Sequence, residues 1–111
     1  MVKKYIPDAG DLVWLNFSPQ SGHEQRGDRP AICVSPKKYN AASGLALFCP
    51  ITSKAKGYPL EEPVHCAGVS GVVLSDQVRS LDFNARGVVF KGRVKPEFLE
   101  DVRYNIRLLL S

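Results

Sequence analysis

The stretch SGHEQRGDRP, residues 21–30, gathers His23, Glu24, Arg26, Asp28 and Arg29 between two apolar runs and punctuates them with glycines. Glu24 can accept a proton. Arg29 leads straight into the next apolar run, AICVS, and so can be held firmly, and the hydroxyl pair Thr52-Ser53 follows a further apolar run. Cleavage of a phosphodiester needs a base for an oxygen nucleophile, a donor for the leaving oxygen and cations against the charge that develops on phosphorus. A Glu/Arg pair with hydroxyl donors supplies these without a metal. In RNA the nucleophile is internal, because the 2′-OH lies beside the scissile phosphate, so no metal need activate water. The competing reading is a solvated loop with turn-forming glycines, which composition alone permits.

Other chemistries find less support. The chain has two histidines, no C-x-x-C and no H-x-x-x-H, so a zinc site of protein ligands is not expected, and neither is any other cofactor. Cys33, Cys49 and Cys66 are odd in number, widely spaced and mostly set among apolar neighbours, which predicts reduced thiols acting as small hydrophobes. The net charge of +4 suits a polyanionic partner, although the basic residues are dispersed and form no dense tail. No apolar run approaches the roughly 20 residues that span a bilayer, and the start MVKKYIPD lacks the apolar core of a signal peptide. The expectation is a cytoplasmic protein with no membrane partner.

The elements that must position these residues read mostly as strands. At 111 residues the chain suits one domain, 1–111, around one core. DLVWLNF (11–17) alternates, with Leu12, Trp14 and Asn16 on one face and Val13, Leu15 and Phe17 on the other, so both faces carry apolar groups. AICVS (31–35) and LALFCPI (45–51) read as further strands, joined by PKKYNAASG, where Asn40 and Gly44 supply turn chemistry. Pro50 belongs at a strand end or bulge. KAKGYPLEEP (54–63) reads as a loop leading to a short strand near Val64, GVVLSDQVRSL (71–81) as a strand with a polar interruption, and GVVFKGRV (87–94) as a last short strand. In PEFLEDVRYNIRLLL the period changes: Phe98, Leu99, Val102, Ile106, Leu109 and Leu110 fall at helical spacing behind Pro96, predicting a C-terminal amphipathic helix that has no capping side chain at Lys95. Short strands joined by turns argue for a small twisted sheet or barrel.

Taken together, YIPDAGDLVWLNF, SGHEQRGDRPAICVSP, CPITSKAKGYP and VVLSDQVRSLDFNARG, with the last helix, resemble the MazF/PemK-type toxin endoribonucleases of bacterial toxin–antitoxin systems, over nearly the whole chain. The combination G-x-E-Q-x-G-x-R-P, then strand-S-P, then P-x-T-S/T-x-x-K-G-Y-P carries the likeness. The resemblance implies a mainly β fold, a small SH3-like barrel of twisted antiparallel strands with a C-terminal helix. It implies a homodimeric toxin that cuts single-stranded mRNA at short sequences and arrests growth, independently of the ribosome and without a metal. It also implies a MazE-like antitoxin partner forming a hetero-oligomer with the dimer. Residue by residue, the family's catalytic glutamate falls on Glu24, its arginine on Arg29 and its active-site threonine on Thr52. Glu24 would act as base on the 2′-OH, Arg29 would stabilise the phosphorane and Thr52 would hold the phosphate, leaving a 2′,3′-cyclic phosphate and a 5′-hydroxyl.

An arginine with a pKa above about 12 does not readily give up a proton, so His23 is the other candidate donor, although neighbours in an extended segment point opposite ways. For the substrate, Phe17 and Tyr58 are candidates to stack on unpaired bases, and Lys54, Lys56 and Arg79 to follow phosphates. Ser53 adds a second hydroxyl beside Thr52, and Asn40 and Gln77 carry amides able to read base edges. Each also has a bland reading as packing, turn or surface residue. Trp14 is expected in the core or at an interface. Two rivals share the architecture: a gyrase-poisoning toxin that binds a protein, and a barrel that binds RNA without cutting it.

Overall fold

The computed structural model describes residues 4–18 and 28–111. Strand β1 (Asp11–Asn16) shows why alternation with apolar groups on both faces matters. Leu12 packs into one apolar cluster with Ile32, Val34, Cys49, Ile51, Val73, Leu99 and Val102. Val13 and Leu15, with Phe17 just beyond the strand, pack into another with Ala31, Cys33, Ala46, Phe48, Leu81 and Phe83. The single core expected from chain length is thus two, one on each face of the sheet, because the central strands have no polar face to give to water.

The other strands are β2 (Asp28–Cys33), β3 (Leu45–Thr52), β4 (Glu61–Cys66), β5 (Val69–Leu74), β6 (Arg79–Asp82) and β7 (Val89–Arg93). They form one curled, half-barrel sheet in the order β4-β5-β3-β2-β1-β7, with β6 also on β3, and every pairing is antiparallel. The eight residues of β3 hold this together. Its first half pairs with β6, from Leu45↔Asp82 to Phe48↔Arg79, and its end pairs with β5 at Ile51↔Val73 and Thr52↔Val72. The polar interruption read in the sequence is the 3₁₀ turn Ser75–Gln77 that separates β5 from β6. Pro50 lies between the two pairings, opposite Ala31 of β2, where β3 leaves one neighbour for the other. A residue without an N–H is tolerated at that break in the ladder.

PKKYNAASG is not a plain turn. Lys37–Ser43 form helix α1, whose end is closed by Gly44 at φ 77°, so the turn chemistry assigned to Gly44 serves a helix terminus. Helix α2 (Pro96–Leu109) begins with Pro96 at its first turn and has no side-chain cap, as expected. Leu99 and Val102 are buried against the sheet and Phe98 and Ile106 pack beside them. Beyond Ile106 the stripe stops packing: Leu109 is 50% and Leu110 81% exposed. The middle of the stripe is polar instead, with Asn105 buried and donating to Glu62 Oε2 at 2.9 Å and to Ser75 Oγ at 3.3 Å, which ties α2 to β4 and to the 3₁₀ turn.

Cys33 and Cys49 are buried and Cys66 half-buried, all as free thiols. Burial pushes the Cys33 thiol up to about 11 and the Cys49 thiol up to about 12, the latter also under the influence of Asp76. Among the described residues no helix is long and apolar enough to cross a membrane.

Candidate nucleic-acid interface

Antiparallel pairing sets the ends of β2 and β3 side by side. Ala31↔Pro50 is the outermost pair between them; two residues beyond it stand Arg29 on one strand and Thr52 on the other. Arg29 is exposed yet held in β2, facing Leu15 of β1 across the ladder. It lines an open cleft with Phe17, Ser18, Pro50, Gln77 and Arg79. The cleft, about 270 Å³, falls below the ~300–1,000 Å³ usual for an enclosed small-molecule pocket, and its openness suits a passing strand better than a swallowed metabolite.

The fold therefore brings four of the sequence-predicted residues, Phe17, Arg29, Gln77 and Arg79, to one place from β2, β6, the 3₁₀ turn and the end of β1. Phe17 is only 6% exposed and belongs to the core, so little of its ring is left for a base. Arg79 lies over that ring at 5.5 Å and its Nη1 donates to the Phe17 carbonyl at 3.1 Å. Its guanidinium thus both lines the cleft and fixes the wall of it.

Thr52, Ser53, Lys54, Lys56 and Tyr58 lie on the next segment, where β3 runs out into the loop before β4. The Thr52 hydroxyl accepts the Lys54 N–H at 3.1 Å. Accepting that bond does not use the hydroxyl's own hydrogen, which can be given to an incoming anion. Ser53, Lys54 and Lys56 are exposed, and Tyr58 is 60% exposed, the reverse of Phe17.

Asn40 is a correction. It is fully buried in α1; its amide nitrogen donates to the carbonyls of Pro7 at 2.8 Å and Ser35 at 3.0 Å, and its amide oxygen accepts the Ser35 hydroxyl at 2.7 Å. Its amide is committed to tying the N-terminal arm and α1 together and no part of it reaches the surface, so it reads no base. Glu24, His23 and Arg26 lie outside the described residues.

Two residues at the site carried no sequence signal. Arg86, in the turn before β7, donates to the carbonyls of Asn16 at 3.1 Å and Ser18 at 2.7 Å and so pins the end of β1 beside the cleft. Glu61 accepts backbone N–H groups of the Lys54–Tyr58 segment. Contacts from a single side chain to backbone groups leave no periodicity to find. Among the described residues no group of three or more His, Cys, Asp or Glu side chains is placed to hold a metal ion.

Residues 8–110 match the family model of the PemK-like, MazF-like toxins of type II toxin–antitoxin systems. The chain is 44% identical over 111 residues to the endoribonuclease toxin MazF of Escherichia coli K12, covering 100% of both, and 37% identical over 117 residues to the endoribonuclease toxin ChpB of the same strain, again covering 100% of both. Among solved structures, MazF from Deinococcus radiodurans matches with a TM-score of 0.87 and 51% identity over 96% of this chain and 98% of that one. The same organism's MazE-MazF complex, in one crystal form, matches with a TM-score of 0.84 and 45% identity over 97% and 98%. The cleft at the ends of β2 and β3 is thus set in a scaffold shared along its whole length with these toxins, and the chain belongs to the PemK-like, MazF-like toxins of type II toxin–antitoxin systems.

Proposed function

We propose that this endoribonuclease toxin cuts single-stranded mRNA at short sequences by attack of the 2′-OH on the adjacent phosphate, with Arg29 and Thr52 binding the phosphate and Glu24 acting as base. The observation that carries the reading is the placement of Arg29 and Thr52 at neighbouring strand ends, an exposed cation on a strand-held backbone near a hydroxyl that still has a hydrogen to donate. Both interactions grow stronger as negative charge develops on the phosphoryl oxygens, which is how such groups accelerate a reaction. Glu24 takes the 2′-OH proton; the new bond to phosphorus closes the 2′,3′-cyclic phosphate and the 5′-oxygen leaves, picking up a proton to become the 5′-hydroxyl. No external oxygen nucleophile enters, so the step runs without a metal.

Ser53, Lys54, Lys56 and Tyr58 present cations and an exposed ring along one segment, and Gln77 and Arg79 offer donors in the cleft, the combination expected for a single strand. Likeness to MazE-MazF complexes supports a MazE-like antitoxin as partner. An acidic antitoxin tail would be drawn to a chain of net charge +4 and inhibit by occupying the RNA channel. The toxin acts as a homodimer in the cytoplasm, where its mRNA is; exposed Tyr104, Leu108, Leu109 and Leu110 on and just past α2, and the half-buried Trp14, give apolar surface for a second copy or the antitoxin to cover. Naked single-stranded RNA incubated with the purified protein in the absence of ribosomes should be cut to products with 5′-hydroxyl ends. A gyrase poison or a non-cutting RNA binder would leave it intact, and sequencing the new 5′ ends reads out the recognised bases.

A further inference from the structure

Glu61 sets a carboxylate against a segment whose other charged side chains are Lys54 and Lys56. Its Oε1 accepts the N–H of Lys56 at 3.2 Å and of Gly57 at 3.0 Å, and its Oε2 accepts the Lys56 N–H at 3.1 Å. Its own N–H donates to the Tyr58 carbonyl at 3.2 Å. One residue at the start of β4 thereby closes the turn Lys56–Tyr58 on itself, and the turn needs Gly57 in the left-handed region at φ 80°.

An acid beside a segment that binds a polyanion is wrong for direct contact. Next to RNA phosphates it repels, and a surface evolved only for attraction would not keep it. The hydrogen bonds explain its presence. They spend the carboxylate on two consecutive backbone N–H groups and hold Lys56 and the exposed Tyr58 in one arrangement before RNA arrives, so less ordering is left to be done on binding.

We propose that Glu61 is a positioning residue for RNA recognition, a carboxylate that preorganises the turn presenting Lys56 and Tyr58. The inference rests on the reading of this segment as RNA-binding. Its signature is a sign: simple removal of a negative charge tightens the binding of RNA, whereas loss of a preorganised turn weakens it.

The test is a binding titration with a fluorescent oligonucleotide made uncleavable by a 2′-deoxy sugar at the scissile position, run at several salt concentrations beside cleavage kinetics of the all-RNA strand. Glu61→Ala is expected to weaken binding about tenfold, the scale of one charge-assisted contact, and to raise KM more than it lowers the rate at saturation. Glu61→Gln keeps an acceptor oxygen and should bind within about twofold of the parent. Gly57→Ala disturbs the same turn without changing charge and should reproduce the weakening, which keeps the test valid even where Glu61→Ala folds poorly. Tighter or unchanged binding by Glu61→Ala, or parental binding by Gly57→Ala, overturns the inference. Lys56→Ala and Tyr58→Ala separate the two levels. If both weaken binding and Glu61→Ala does not, this inference alone fails; if neither does, the segment is not an RNA contact and both readings fall.

Discussion

Gly71 of β5 packs directly on the peptide of Thr52: a side-chain carbon at Gly71 would stand 2.3 Å from the Thr52 carbonyl oxygen and 2.9 Å from its carbonyl carbon. The contact falls one residue past the Thr52↔Val72 pair, where β3 and β5 part. No side chain fits there without moving the backbone that carries Thr52 and Ser53. Gly71→Ala should therefore slow cutting at saturating RNA by up to about 10²-fold, the scale of a misplacement of about 1 Å in a catalytic group. Because the damage runs through Thr52, the double variant with Thr52→Ala should be little slower than Thr52→Ala alone. A loss that simply multiplies would show that Gly71 matters for something else.

Replacing the two charged catalytic candidates should separate chemistry from binding. Glu24→Gln and Arg29→Ala are each expected to lower single-turnover cleavage by roughly 10²-fold or more. Arg29→Ala should also weaken RNA binding and flatten its log–log salt dependence by about 0.7, while Glu24→Gln, having shed a negative charge, should bind as well or better. A Glu24→Gln protein that cuts saturating RNA at the parental rate would send the search for the base elsewhere, with His23 first.

Cleavage should continue in excess EDTA, because the sequence offers no cluster of metal ligands and the 2′-OH needs no activated water. Activity lost in EDTA and restored by Mg²⁺ or Zn²⁺ would refute the metal-free reaction.

The buried thiols predict alkaline sensitivity. Folding raises Cys33 from an ordinary 9.0 to about 11 and Cys49 to about 12, so above pH 9 the folded chain holds protons that the unfolded chain has released. Their contribution is fully present below pH 9 and is lost as pH climbs toward those values, by about 1.4 kcal/mol per thiol per pH unit. Tyr5 is raised in the same direction, by burial and by its hydrogen bond to Asp11, and adds to the loss above its ordinary 10.0. Denaturant unfolding across pH 7.5 to 10.5 should show a flat region and then a decline. Cys66, half-buried, should be alkylated in the native protein well before Cys33 and Cys49.

The strands around the cleft were legible because their signals are local. Alternation in β1, the polar interruption within 71–81, and the change to helical spacing after Pro96 all report on neighbours in sequence. Asn40 shows what is not local. An asparagine in a string of small and polar residues reads as a solvent-facing turn, but its partner at Pro7 is 33 residues away and α1 depends on it. Arg79 shows the same limit within the site. Its charge was visible, but its commitment to Phe17, 62 residues distant, was not. Glu24 stands as a candidate on its setting in the G-x-E-Q-x-G-x-R-P phrase alone, because it lies outside the described residues.

The two clusters on opposite sides of β1 leave that strand with an ambiguity. In most half-buried strands a slip of one residue throws the apolar set into water, and this fixes which residue faces which across the ladder. On β1 a slip would only exchange Val13 and Leu15 for Leu12 and Trp14. Apolar patterning is then a poor ruler, and a polar pin must do the measuring. Asp11 is that pin: 2% exposed, directly opposite Arg93 of β7, its carboxylate takes the Arg93 guanidinium, the Tyr5 hydroxyl and the Asp8 N–H. In a shifted alignment it would keep only its neighbours on the N-terminal arm and lose the Arg93 guanidinium, the cation that balances its buried charge. Without Asp11 the chain would lose not so much its drive to fold as its means of choosing between neighbouring alignments of β1 and β7, and would settle as a mixture of them.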